Sequence, residues 1–202
     1  MRIIGLTGGI GSGKSTVSGM LRELGAAIVD GDTAARAVVE PGQPALDEII
    51  QEFGEVMLGP DGRLDRPAMA QLVFSDEAAR IRLNAITHPR VREWMAARVG
   101  EAAGTGAEVV VMDIPLLFES PLGDEVAEVI VVWVPMEVQA ERSVARGMEE
   151  ADVRARIAAQ MPIDDKRQRA THLIDNSGSE EATRAQVERL WRVLTSQEPA
   201  GA

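Results

Sequence analysis

Eight residues near the amino terminus, Gly8-Gly9-Ile10-Gly11-Ser12-Gly13-Lys14-Ser15, follow the apolar run Arg2-Ile3-Ile4-Gly5-Leu6 and spell the phosphate-binding pattern G-x-x-x-x-G-K-S. Each residue type there has its own task. Glycines let successive backbone N–H groups turn inward around a polyphosphate, Lys14 brings a point charge to the β- and γ-phosphates, and Ser15 offers a hydroxyl to Mg²⁺. The chain has only two lysines, Lys14 and Lys166, and otherwise draws positive charge from arginine. A slim ammonium fits inside a loop that a planar guanidinium would not, which explains a lysine at position 14 in so arginine-biased a chain.

The rest of the chain fits a parallel sheet around that loop. Four further apolar runs read as buried strands: Ala26 to Val29 ending in Asp30, Val109 to Met112 ending in Asp113, Val129 to Val134, and Leu173-Ile174 before Asp175-Asn176. With Ile3 to Leu6 they make five, and helical patterns separate them. One such pattern is Ser15 to Leu24, with Val17, Met20, Leu21 and Leu24 on one face before Gly25. Alternation of this kind predicts an α/β, doubly wound five-stranded parallel sheet flanked by helices. Ligands in such sheets sit beyond the carboxyl ends of the strands, where Gly8 to Ser15, Asp30, Asp32 and Asp113 all fall.

Two stretches are too long for simple crossovers. Residues 34–106 hold several helical segments with turns expected at Pro41-Gly42, Gly59-Pro60-Asp61-Gly62 and His88-Pro89, and read as a helical insertion. Residues 136–171 are dense in charge and read as a mobile lid. The nucleotide-binding core is then 1–33, 107–135 and 172–202, closing with a helix from Ser179 to Leu194 and a frayed tail from Ser196 to Ala202.

Composition narrows the chemistry. With no cysteine, the chain has no disulfide, thiolate zinc site or cysteine nucleophile, so any metal is held by oxygen ligands. A net charge of −11 disfavours nonspecific nucleic-acid binding, and Trp94, Trp133 and Trp191 read as packing residues rather than a base-stacking platform. The start runs straight into a strand and no apolar stretch approaches the roughly 18 residues of a membrane span, so a cytoplasmic protein without membrane contact is expected.

Asp32 is a candidate to orient or deprotonate an acceptor hydroxyl, and Asp30 shares that possibility; the plainer alternative is a cap for a helix starting at Ala34. Asp113 has the context of a Walker B carboxylate near Mg²⁺. Arg142 and Arg146 lie four apart and on a helix project from one face toward transferring phosphates, unless Glu137 and Glu141 pair with them. His88 before Pro89 reads on spacing alone as a turn residue.

Several segments together resemble the dephospho-coenzyme A kinases. They are Leu6 to Thr16, Asp30-Gly31-Asp32 with Arg36, Gly62-Arg63-Leu64-Asp65-Arg66, and Leu83-Asn84-Ala85-Ile86-Thr87-His88-Pro89. Further along come Asp113-Ile114-Pro115-Leu116-Leu117-Phe118-Glu119, Arg142 with Arg146, Arg156-Ile157-Ala158-Ala159-Gln160, and Asp175-Asn176-Ser177-Gly178. The first segment is common to many phosphate-loop proteins; the Asp-Ile-Pro-Leu-Leu-Phe-Glu and Ile-Thr-His-Pro segments are far more specific. The resemblance implies ATP-dependent phosphorylation of the ribose 3′-hydroxyl of dephospho-CoA, with Mg²⁺ and without an obligate protein partner. It implies Lys14, Asp32 and Arg142 as catalytic residues, Asp32 being the base. Gly11, Ser12, Gly13, Lys14, Ser15, Thr16, Arg146 and Asn176 would bind nucleotide, and Ser15 and Asp113 the metal. Asp32, Arg36, His88, Pro89, Leu116 and Glu119 would form the acceptor side. One departure is Thr171-His172 after Ala170, where the family commonly has an acidic residue. Against these stand another small-acceptor kinase, discriminated by residues 34–106, and a nucleotide switch. No Asn-Lys pair or Leu-Ser-Gly-Gly-Gln-like signature supports a GTPase or transporter ATPase.

Overall fold

A computed structural model describes residues 1–196; the expected fray at 197–202 lies outside them. The chain forms two compact units, one made of Met1–Val29 and the chain from Glu101 onward, the other of Asp30–Gly100.

The first unit is built on β1 (Arg2–Gly8), β2 (Ala27–Asp30), β3 (Val109–Asp113), β4 (Val129–Trp133) and β5 (His172–Asp175), ordered β2-β3-β1-β4-β5. β1 pairs in parallel with both β3 and β4, and β4 with β5, so the expected parallel sheet is present. Its strands are near-continuous apolar runs because helices cover both faces, and Val109, Val110, Val111, Ile130, Val131 and Val132 are fully buried. Helix α1 (Lys14–Glu23) buries Val17, Met20 and Leu21 against Ile4, Leu6 and Val111. Each such aliphatic side chain contributes roughly 1.5–3 kcal/mol on leaving water. The closing helix α9 (Glu180–Thr195) adds Val187, Leu190 and Leu194 to the same core, and Ser179 caps it by accepting from Ala182 N–H.

Three helices, α6 (Met136–Ala145), α7 (Glu150–Ala158) and α8 (Ile163–Gln168), fill the stretch expected as a lid. In α7 the only buried residue is Val153, whereas α8 buries Ile163 and Lys166. Aspartate 164 accepts from the Trp133 indole at 2.8 Å, and Arg167 lies 4.8 Å over that ring, so Trp133 anchors α8 as well as packing.

The second unit holds α2 (Gly31–Ala37), α3 (Pro44–Phe53), α4 (Arg66–Ser75) and most of α5 (Glu77–Gly104). Its core is Val38, Val39, Ala45, Ile49 and Met69, with Leu83, Ile86, Val91 and Trp94 of α5 packed against it. Those contacts correct one expectation. His88-Pro89 is not a turn; both residues lie inside the 28-residue α5. Proline removes one i→i−4 hydrogen bond, but the apolar residues on either side bury on the same core and keep the helix running through it. Helix α2 also begins at Gly31 rather than Ala34, with consequences for the two aspartates beside it.

Among the described residues no helix is long and apolar enough to cross a membrane.

Candidate active site

The phosphate loop joins β1 to α1 and is shaped by two left-handed glycines, Gly11 at φ 71° and Gly13 at φ 85°. Neither tolerates a side chain. A Cβ on Gly11 would stand 2.4 Å from the Gln139 carbonyl oxygen, and one on Gly13 2.0 Å from Asn176 Nδ2. Gly13 is the N-cap of α1, no side chain caps that end, and no acidic residue lies in its first turn. A helix start left this way presents free N–H donors and the positive end of its dipole to an anion. Next to it the buried Ser12 Oγ has no hydrogen-bond partner, an orphan that a phosphate oxygen would satisfy.

Lys14 forms an ion pair with Asp113 at the end of β3. Strand register brings them together: Asp113 pairs with Leu6 of β1, two residues before Gly8. Asp113 is 4% exposed, so its charge is unscreened and strongly felt by any neighbouring cation. Ser15, on the exposed first turn of α1, adds a hydroxyl. This donor set is all oxygen, and among the described residues no three His, Cys, Asp or Glu cluster as a closed cage. Mg²⁺ suits such a set, because it keeps water and phosphate oxygens and takes only one or two protein ligands.

On the other flank Asn176, following β5, donates from Nδ2 to the Ser12 carbonyl at 2.7 Å and accepts from Thr183 Oγ1 at 2.7 Å. Arg142 of α6 donates to the Asn176 carbonyl at 3.0 Å, and its Nη1 lies 3.9 Å from where a Cβ on Gly13 would stand. Arg146 is the exposed C-cap of α6.

The loop after Asp113 is held from α8. Lys166, wholly buried, places its ammonium 2.9 Å from Glu119 Oε1 and 3.1 Å from the Pro115 carbonyl. Burial pushes its pKa below the ordinary lysine value, the Glu119 carboxylate opposes that, and the like charge of Lys14 adds to it. Leu116 is 46% exposed in a segment whose Ile114, Leu117 and Phe118 are buried. Thr171 brackets Val129: its N–H donates to the Val129 carbonyl, and its Oγ1 accepts from Val129 N–H. His172 meets Glu128 at 3.0 Å.

In the helical unit the two aspartates separate. Asp30 is the N-cap of α2, its carboxylate accepting from Thr33 N–H, which is the plain reading of that residue. Asp32 sits exposed in the first turn of α2 and Arg36 in its last. Arg66 donates to the Arg36 carbonyl, Arg63 pairs with Glu40, and Asp65 caps α4, so that family-like segment braces the unit. His88 is held below the ordinary imidazole pKa by partial burial and, secondarily, by the Arg92 guanidinium.

A family model described as dephospho-CoA kinase matches residues 2–182. The chain belongs to the dephospho-CoA kinase family. It is 51% identical over 193 residues to a dephospho-CoA kinase from Thermobifida fusca, covering 95% of each chain. It is 50% identical to one from Symbiobacterium thermophilum, covering 95% of this chain and 81% of that protein. A crystal structure of TT1252 from Thermus thermophilus superposes with a TM-score of 0.83 at 39% identity, covering 96% of this chain and 98% of that one. A dephospho-CoA kinase structure from Campylobacter jejuni shares the fold, with a TM-score of 0.73 at 24% identity and coverage of 98% and 100%.

Within this member of the dephospho-CoA kinase family, Lys14, Asp113, Arg142 and Asn176 lie together at the phosphate loop. Lys166 and Gln160 stand in the sequence without an assigned role, and the structure shows what they contact. Gln160 Oε1 accepts from the Ile10 N–H at 3.1 Å, and Lys166 is the other of the two lysines. The rarity that singled out Lys14 applied equally to Lys166.

Proposed function

We propose that this chain transfers the γ-phosphoryl group of ATP to the 3′-hydroxyl of dephospho-CoA, giving coenzyme A and ADP, the last step of coenzyme A biosynthesis. The observation that carries this reading is the uncapped helix start beside the Lys14–Asp113 pair, in a chain half identical to curated dephospho-CoA kinases. Phosphoryl transfer asks for positioning and charge neutralisation more than covalent help from the protein.

Gly11 to Thr16 receive the phosphates, with the N–H groups at the uncapped start of α1 and the unpartnered Ser12 hydroxyl as donors. Lys14 turns its ammonium from Asp113 toward the transferring group, and Arg142 brings a second charge over Gly13. Arg146 and Asn176 complete the nucleotide side. Ser15 and Asp113 are the residues that would hold Mg²⁺, which would supply positive charge against the negative charge developing on the phosphates. Asp32 accepts the proton of the 3′-hydroxyl as its oxygen bonds to phosphorus and the bond to ADP breaks. Arg36, His88, Pro89, Leu116 and Glu119 serve the acceptor side, residues 34–106 being the CoA-binding insertion and 136–171 the lid. The reaction is placed in the cytoplasm and needs neither membrane, nucleic acid nor an obligate protein partner.

Product analysis tests this reading. Incubation with ATP, Mg²⁺ and a panel of dephospho-CoA, AMP, shikimate and gluconate should give coenzyme A phosphorylated at the 3′ position and ATP turnover that depends on dephospho-CoA. Activity on AMP with none on dephospho-CoA would point to a different small-acceptor kinase, and acceptor-independent hydrolysis to a switch.

A further inference from the structure

Lys166 meets three acceptors: Glu119 Oε1 at 2.9 Å, Glu119 Oε2 at 3.2 Å and the Pro115 carbonyl at 3.1 Å. An ammonium has three N–H donors, so each has a partner. Burying a charge is costly even when it is paired, and methionine would fill similar space without that penalty. A lysine kept here, in a chain with two, therefore calls for a role that an apolar side chain would not perform.

Two of these acceptors lead onward. The Pro115 carbonyl also accepts from Thr7 Oγ1 at 2.9 Å, immediately before Gly8. Glu119 Oε1 also accepts from Met161 N–H at 2.9 Å, and the adjacent Gln160 accepts from Ile10 N–H at 3.1 Å. The bonds close a ring that starts at the entry of the phosphate loop, passes through Pro115, Lys166, Glu119 and the 160–161 turn, and returns to the loop tip. The chain leaving Asp113 runs through two members of that ring, Pro115 and Glu119.

We propose that Lys166 is a positioning residue for phosphoryl transfer, holding the loop after Asp113 in register with the tip of the phosphate loop through Glu119, the Pro115 carbonyl and Gln160. The inference rests on the kinase reading above. In this role Lys166 acts through its neighbours, keeping the Lys14 and Asp113 side chains aligned while the phosphoryl group passes from ATP to the acceptor hydroxyl. Small displacements of reacting groups are enough to slow transfer by about 100-fold, so a remote brace of this kind acts on turnover.

Steady-state kinetics of the full chain with ATP and dephospho-CoA test it, with turnover expressed per folded ATP-binding site. Lys166→Met should lower kcat by at least about tenfold while both KM values stay within about threefold. Gln160→Ala, which removes one link at a half-buried side chain, should lower kcat several-fold. Combined with Thr7→Val, which removes the Thr7 hydroxyl bond to the Pro115 carbonyl, it should lose no more than the larger single effect, since a ring opened once is already open. A purely structural Lys166 would lower the melting temperature and the fraction of folded sites but leave kcat per site unchanged, and that result overturns the proposal. So do a KM increase with kcat intact, or losses that multiply in the combined variant. If Lys166→Met does not fold, Gln160→Ala and the combined variant decide alone. Failure of the unsubstituted chain to phosphorylate dephospho-CoA removes the kinase reading itself, whereas an active parent with unmoved variants removes only the role of Lys166.

Discussion

Asn176 pins the phosphate loop from across the sheet: its Nδ2 donates to the Ser12 carbonyl at 2.7 Å while its Oδ1 accepts from Thr183 of α9. Asn176 is 7% exposed; without it the Ser12 carbonyl loses its side-chain partner, while Thr183 Oγ1 keeps the Ser179 carbonyl at 3.3 Å. Asn176→Ala should therefore cost about 1–3 kcal/mol of stability. Freed from its tether, the loop must be ordered by the nucleotide, so the KM for ATP should rise several-fold with a smaller change in kcat. Thermal melting and ATP titration of initial rates check the two effects separately.

The Lys14–Asp113 pair predicts a different split. Lys14→Met leaves the nearly buried Asp113 carboxylate without its cation and removes the positioned charge from the transferring phosphate. Turnover should fall by roughly 100- to 1,000-fold, the size of effect seen when one preorganised donor to a developing charge is removed. Stability should also fall, because an uncompensated buried charge remains. Near-normal kcat in this variant would take Lys14 out of the mechanism.

How much of this was readable in advance depends on how local the cause is. Gly11, Gly13, Lys14 and Ser15 are required by phosphate chemistry within eight consecutive residues, and Asp113 is announced by the apolar strand before it, so all are legible. The Lys166–Glu119 and Gln160–Ile10 contacts span 47 and 150 residues, and α8 is only six residues long, too short to show a helical period. Composition pointed to Lys166, and Glu119 and Gln160 lay inside family-like segments, but nothing local paired them. His88-Pro89 failed for the opposite reason: a sound local rule about proline was overruled by packing of Leu83, Ile86, Val91 and Trp94 around it.

The aspartates beside α2 are separable by experiment. Asp30→Ala removes the cap on Thr33 N–H and should cost about 1 kcal/mol, with kcat per folded molecule largely retained. Asp32→Asn leaves the cap in place and keeps the side chain's size, so the melting temperature should hardly move. If Asp32 takes the proton of the acceptor hydroxyl, its loss should lower kcat by roughly 100- to 10,000-fold with little change in ATP affinity. An unchanged kcat would leave Asp32 as a first-turn acid favouring the helix dipole and nothing more.

His88 predicts the pH dependence of folding. Burial and Arg92 hold its folded pKa below the ordinary 6.5, so the unfolded chain takes up a proton that the folded chain resists. The unfolded state then binds more protons, and stability must rise with pH across that window. Its contribution is fully present above pH 6.5 and is lost as pH falls from 6.5 toward the folded value. Replacing the imidazole in His88→Gln removes this titration without adding a charge to α5. Urea midpoints measured between pH ~7.5 and ~5 should fall more steeply with acid for the parent than for the variant. Parallel curves for the two proteins would mean that His88 protonates as readily folded as unfolded.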